Sequence, residues 1–195
     1  MKRIITLSFI VILATLSPFA QSGDRLPVKT VPSVDLNKYA GQWYEIAKYP
    51  NKFQDQCVGN IIATYRPQGA GKIEVLNRCL KKDGTVDDAK GAAKLNEDDK
   101  SNAKLKVRFA PGFISWLPQV WADYWVIDLA DDYSYSVVGT PDRKYFWILS
   151  RKPSIDDGTY QSILRRAEQQ GFVPAKVVKT PQGVEAGKGA ALTKS

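Results

Sequence analysis

The run Gly41-Gln42-Trp43-Tyr44-Glu45, answered far downstream by Arg151 at the end of the apolar stretch Ile148-Leu149-Ser150, constrains this chain more than any other feature. A glycine allows a tight entry into a strand, and a Trp followed by a Tyr sends one aromatic to each face. An Arg closing a distant apolar strand is able to lay its guanidinium over the Trp face. Such a contact ties an early strand to a late one and closes the floor of a barrel. Gly41, Trp43 and Arg151 are therefore read as one structural unit.

Strand signals recur at short spacing between turn residues, the pattern of an antiparallel barrel. Strands are expected at 41–49, 58–66, 72–80, 88–95, 103–109, 123–130, 134–140 and 144–150. Turns fall at Lys82-Asp83-Gly84, Asp98-Asp99-Lys100-Ser101-Asn102, Ala130-Asp131-Asp132 and Thr140-Pro141-Asp142. Eight such strands suffice to enclose one small ligand. After Arg151 the period becomes helical: Ser154 is an N-cap candidate, and Ile155, Tyr160, Ile163, Leu164 and Ala167 recur up to a stop at Gly171. The expected fold is all-β with one α-helix, an eight-stranded antiparallel up-and-down barrel with the C-terminal helix packed outside. Residues 173–178 read as a short additional strand.

These segments resemble the lipocalin family, and its bacterial branch most. The stretch Val34-Asp35-Leu36-Asn37-Lys38-Tyr39-Ala40-Gly41-Gln42-Trp43-Tyr44-Glu45-Ile46-Ala47 is similar to the family's opening motif. Asp123-Tyr124-Trp125-Val126-Ile127-Asp128-Leu129 and Tyr145-Phe146-Trp147-Ile148-Leu149-Ser150-Arg151 resemble its second and third motifs. The resemblance runs from about residue 34 to 181. It implies a helix on the outside of the barrel, a ligand cavity within, and an opening at the end where the first and second strands are joined.

Lys2-Arg3, the apolar run 4–16 and Ala20-Gln21-Ser22 have the form of a secretory signal peptide, taken as residues 1–22. No Cys lies near the expected cleavage site, so the lipid attachment common among bacterial relatives is not expected. The reading is a secreted, periplasmic protein without a lipid anchor: a lipocalin domain over 23–181 and a disordered tail over 182–195, rich in Gly, Ala and Lys. The formal charge of +8 includes no block of five basic residues. Nucleic acid is not an expected partner. The two cysteines, Cys57 and Cys79, lie in the exported part on either side of a hairpin turned at Pro67-Gln68-Gly69-Ala70-Gly71. A disulfide is expected.

With no His in the chain, Ser–His–Asp and Cys–His nucleophile activation are excluded, and the commonest transition-metal ligand is missing. No phosphate-binding glycine motif occurs. No catalytic residue, metal or cofactor is expected. The acidic pairs Asp87-Asp88, Asp98-Asp99 and Asp131-Asp132 occupy turn positions, and only Glu45 and Asp128 look unpaired. Parity assigns the lining of a cavity. With Trp43 inward, Glu45 and Ala47 follow it, joined by Ile61, Ala63 and Tyr65, by Val75 and Asn77, by Val107 and Phe109, and by Tyr145 and Trp147. The resemblance adds Tyr124 and Val126. Phe146 and Ile148 are left to pack beneath the helix. Apolar walls with a few polar groups suit a small hydrophobic ligand.

The connection 111–121 is unusually apolar, with Phe113, Ile114, Trp116, Leu117, Val120 and Trp121. Its side chains either fold back onto the barrel or form a lid, a peripheral membrane contact or a dimer contact. The leading expectation is binding, transport or storage of a lipid, fatty acid or lysophospholipid, in the bacterial cell envelope, by a monomer or homodimer. The alternatives are an interaction module using this loop and, less favoured, an enzyme on the same scaffold.

Overall fold

Asp35 caps a short helix, α1 (Leu36–Tyr39), by accepting from the amides of Asn37 and Lys38. The chain then turns at Gly41, whose φ of +92° favours glycine, into β1 (Gly41–Lys48). A computed structural model describes residues 26–96, 98–109 and 120–185 of the chain. The expected signal peptide and most of the 111–121 loop lie outside these residues.

Seven further strands follow: β2 (Cys57–Pro67), β3 (Lys72–Lys81), β4 (Val86–Leu95), β5 (Lys104–Arg108), β6 (Ala122–Leu129), β7 (Tyr135–Gly139) and β8 (Phe146–Ser150). Each pairs antiparallel with the next, and β1 pairs with both β8 and β2, which closes the barrel. Helix α2 (Asp157–Gln169) lies outside, and β9 (Val178–Lys179) adds to β1. The helix begins later than the sequence suggests. Asp156 rather than Ser154 is its cap, accepting from the Thr159 amide at 2.9 Å. The acceptor is a carboxylate in the field of the amide dipoles, a stronger cap than a hydroxyl.

Alternation divides the apolar side chains between two cores. Inside the barrel, Trp43, Ala63, Tyr65, Val75, Leu105, Val126, Val138 and Leu149 pack together. Outside, Ile46, Phe146 and Ile148 meet Tyr160, Ile163 and Ala167 of α2. Ala47 departs from the parity reading. The register of β1 against β8 shifts between Glu45 and Ala47, so the strand bulges and Ala47 joins Ile46 in the outer core. One inserted residue inverts every face that follows.

Candidate functional site

The floor of the barrel is built first. Trp43 is fully buried and donates its indole N–H to the Tyr39 carbonyl at 2.8 Å. Arg151 lies over the Trp43 ring, its guanidinium carbon 3.7 Å from the ring centroid. Its Nη1 and Nη2 donate to the carbonyls of Gln42 (2.8 Å) and Lys38 (2.6 Å). A Cβ at position 41 would stand 3.5 Å from that Nη1.

Above this floor opens a cavity of about 310 Å³, at the small end of the range for ligand pockets. Ten of the residues assigned by parity or resemblance line it: Glu45, Ile61, Ala63, Tyr65, Val75, Asn77, Val107, Phe109, Tyr124 and Trp147. Three do not. Ala47 faces α2 because of the bulge. Val126 faces inward but is packed below the cavity in the solid inner core. Tyr145 precedes β8 and sits outside the lining, between Trp147 (centroids 5.8 Å apart) and Phe53 (5.5 Å).

The inner end carries a chain of hydroxyls. Tyr65 meets Tyr124 at 2.8 Å, Tyr124 meets Tyr39 at 2.9 Å, and Tyr39 meets Ser136 at 2.9 Å. Burial holds all three phenols above the ordinary tyrosine pKa; the Tyr39 phenol adds to the shift of Tyr65, and both neighbouring phenols add to that of Tyr124.

The outer end is more polar than the sequence suggests. The connection between β1 and β2 supplies Asn51, Phe53, Gln54 and Gln56, and β3 and β4 supply Arg78 and Asp87. The four from the β1–β2 connection were not readable by alternation, because loop residues have no parity. Their one signal is the cluster of amide side chains around Phe53 at the open end. Phe53 itself is 66% exposed. Cys57 and Cys79 line the same end and form the expected disulfide, with Cα atoms 5.6 Å apart.

Glu45 is far from unpaired. It is 3% exposed, and its carboxylate accepts from Thr180 Oγ1 and Gln54 Nε2, both at 2.6 Å, with Lys48 Nζ at 3.3 Å. Asp128 is likewise paired, with Arg166 of α2 at 2.7 Å. The Thr180 contact reveals a seam in the barrel. β1 pairs with β2 only from Gly41 to Tyr44. Beyond it, the segment after β9 splints the two strands. Thr180 donates its amide to Ile46 and Pro181 accepts from the Asn60 amide. Gln182 Nε2 donates to the carbonyls of both Glu45 (2.8 Å) and Ile61 (3.1 Å), and Val184 exchanges two hydrogen bonds with the Asn60 side chain. The boundary expected at residue 182 therefore falls later, since Gln182 and Val184 belong to the barrel wall. Gly59 permits the approach: a Cβ there would lie 2.7 Å from the Pro181 carbonyl oxygen.

Of the apolar 111–121 loop, only Val120 and Trp121 are described. The Trp121 ring lies beneath Lys94 Nζ (5.0 Å) and the Arg108 guanidinium (5.1 Å).

A closed eight-stranded barrel with a helix outside, a floor sealed by Trp and Arg, and an apolar cavity defines a ligand-binding barrel protein. Comparison with known proteins agrees. A family model described as a lipocalin-like domain matches residues 34–182. Temperature-induced lipocalin-1 of Arabidopsis thaliana is 35% identical over 160 residues, 82% of this chain and 85% of that protein. The outer membrane lipoprotein Blc of Citrobacter freundii is 33% identical over 178 residues, 91% of this chain and 93% of that protein. Among solved structures, insecticyanin of the tobacco hornworm Manduca sexta superposes with a TM-score of 0.64 at 25% identity, covering 82% of this chain and 86% of its own. The chain belongs to the lipocalin family. Lipocalins bind or transport small hydrophobic ligands and are generally binding proteins rather than enzymes.

Proposed function

We propose that this protein carries or stores a single-chain lipid, a fatty acid or a lysophospholipid, in the bacterial cell envelope. The observation that supports it most is the polarity of the cavity along its axis. Ile61, Ala63, Val75, Val107 and Leu149 give apolar walls, while the amides and charged groups collect at the outer end. An acyl chain in the barrel with its head among those groups satisfies both regions. Relatives named as outer membrane lipoproteins support the envelope as the site of action. In this reading the chain acts there as an exported, unanchored protein, a monomer or homodimer. The thirteen positions singled out from sequence, less Ala47, Val126 and Tyr145, are the proposed contacts.

Intact-mass measurement of the protein purified natively from its host's envelope fraction tests this directly, with a co-purifying lipid expected. A second arm follows indole fluorescence on titration with a lysophospholipid. The signal saturates at micromolar lipid, and Trp147→Phe reduces it while the fold survives. Absence of saturable binding to any single-chain lipid would sink the reading.

A further inference from the structure

We infer that the outer wall of β3, β4 and β5 docks the barrel on an anionic phospholipid surface. The inference goes beyond the carrier reading and does not depend on what the cavity holds. Helix α2 covers β1 and β6 to β8, whose side chains Ile46, Ile127, Val137, Phe146 and Ile148 belong to the core beneath it. The outward residues of β3 to β5 contribute nothing to that core, and most of them are charged. Register makes the wall basic. Lys72 of β3 stands opposite Lys94 of β4, and Lys94 stands opposite Lys106 of β5, so three lysines lie abreast. Like charges in directly opposed positions are destabilising, so the row lowers stability rather than adding to it. Lys90, Lys104 and Arg108 share the same face by alternation and extend the row along the strands.

The carboxylates on this wall do not neutralise it. Glu74, Asp88 and Asp123 each hold a cation of their own: Arg66 at 2.7 Å, Arg78 at 2.8 Å and Lys106 at 2.6 Å. Lys72, Lys90, Lys94 and Lys104 form no ion pair with another described residue. The first three of them are exposed. The helix side differs, since Asp157 and Glu168 balance Arg165 and Arg166 along α2. Indoles are set among the cations of the wall. Trp121 lies beneath Lys94 and Arg108, and the Trp125 ring centroid is 5.0 Å from Lys104 Nζ. Lysines beside half-buried indoles complement a bilayer interface, where lipid phosphates meet the charge and Trp favours the headgroup level. The wall also leads to the cavity. Phe109, directly after β5, lines the cavity and is 45% exposed. A barrel held by this wall therefore keeps its opening beside the lipid surface.

Vesicle co-flotation of the purified protein tests this. At low salt the protein should bind phosphatidylcholine vesicles containing about one-third phosphatidylglycerol and ignore pure phosphatidylcholine. Binding should be lost at roughly 0.5 M salt, where screening confines the field to a few ångströms. Lys72→Gln/Lys90→Gln/Lys94→Gln should weaken binding at least about tenfold, since each lysine near such a surface contributes roughly fivefold. The same charge change on α2 and its flanks, Lys152→Gln/Arg165→Gln/Lys176→Gln, removes exposed side chains and should leave binding within about twofold. Equal loss in the two variants reduces the attraction to net charge and overturns the assignment of the wall. Equal affinity for neutral and anionic vesicles overturns the inference, as does no vesicle binding at all. In that last case, retention on a DNA duplex or on polyglutamate would give the wall to another polyanion. The urea midpoint of the first variant should stay level or rise, because the row of like charges is relieved. A markedly lower midpoint would make these lysines structural and overturn the inference. None of these results touches the carrier reading, which saturable binding of a single-chain lipid decides separately.

Discussion

Arg151 and Trp43 are joined by more than a ring contact. The guanidinium that covers the indole at 3.7 Å also donates to the carbonyls of Gln42 and Lys38, on either side of the α1–β1 turn. The indole N–H is in turn bonded to Tyr39. One cation thus satisfies two carbonyls, shields a buried aromatic and fastens the chain after β8 to the start of β1.

Trp43→Ala is therefore expected to destabilise the protein by about 3–5 kcal/mol, as truncation of large core aromatics does. Arg151→Lys should cost less, because an ammonium stacks poorly and cannot reach both carbonyls with a planar fork. Urea unfolding of the two variants gives the values. An unshifted midpoint for Trp43→Ala would remove the floor from the account of stability.

Cys57 and Cys79 are 22 residues apart in sequence and bonded. In the chain-entropy model, closing that loop contributes roughly 3 kcal/mol. Thiol titration of the denatured, unreduced protein should detect no free thiol. The Cys57→Ser/Cys79→Ser pair should unfold at distinctly lower urea, and a midpoint insensitive to reductant in the native protein would contradict this.

The three phenols of the inner hydroxyl chain should resist ionisation. Burial raises the pKa of Tyr39, Tyr65 and Tyr124 in the folded state. Protons are therefore held more tightly folded than unfolded, and stability is retained below the unfolded value of about 10 and lost as pH rises beyond it. Ultraviolet titration should show these phenols ionising only with alkaline unfolding. Tyr65→Phe and Tyr124→Phe should lessen the loss above that pH, and a stability curve flat through the alkaline range would contradict the burial argument.

Gln182→Ala removes two hydrogen bonds that bridge β1 and β2. A cost of about 1–2 kcal/mol is expected. Its signature is local: amide exchange should accelerate at Asn60, which donates to Pro181, and at Thr180, which donates to Ile46. Unaltered exchange at both amides would show that the splint holds without Gln182.

Most of the barrel was legible because alternation needs only local sequence. A strand such as β5, with charge at every other position, declares its faces, and Cys57 and Cys79 come together at the far end of their hairpin once it is recognised. Ala47 was misplaced for the complementary reason. A bulge after Glu45 reverses parity, and no residue in Glu45-Ile46-Ala47 advertises it. Asn51 and Gln54 were missed because a connection carries no period, although they supply the cavity's most distinctive polar groups. Gln182 and Val184 sit in a stretch whose composition reads as tail. Only the gap between β1 and β2, a feature of tertiary structure, gives them partners.

The splint also sets an order of events. Because residues 180–184 complete the wall between the first two strands, the chain cannot seal its own beginning until its end has arrived. Closure joins segments about as distant in sequence as the domain allows, the kind of pairing that slows folding most. During synthesis, the upper part of β1 therefore remains unsealed until residues 180–184 emerge. Any fusion placed at the C-terminus must begin beyond Glu185 to leave that final stitch intact.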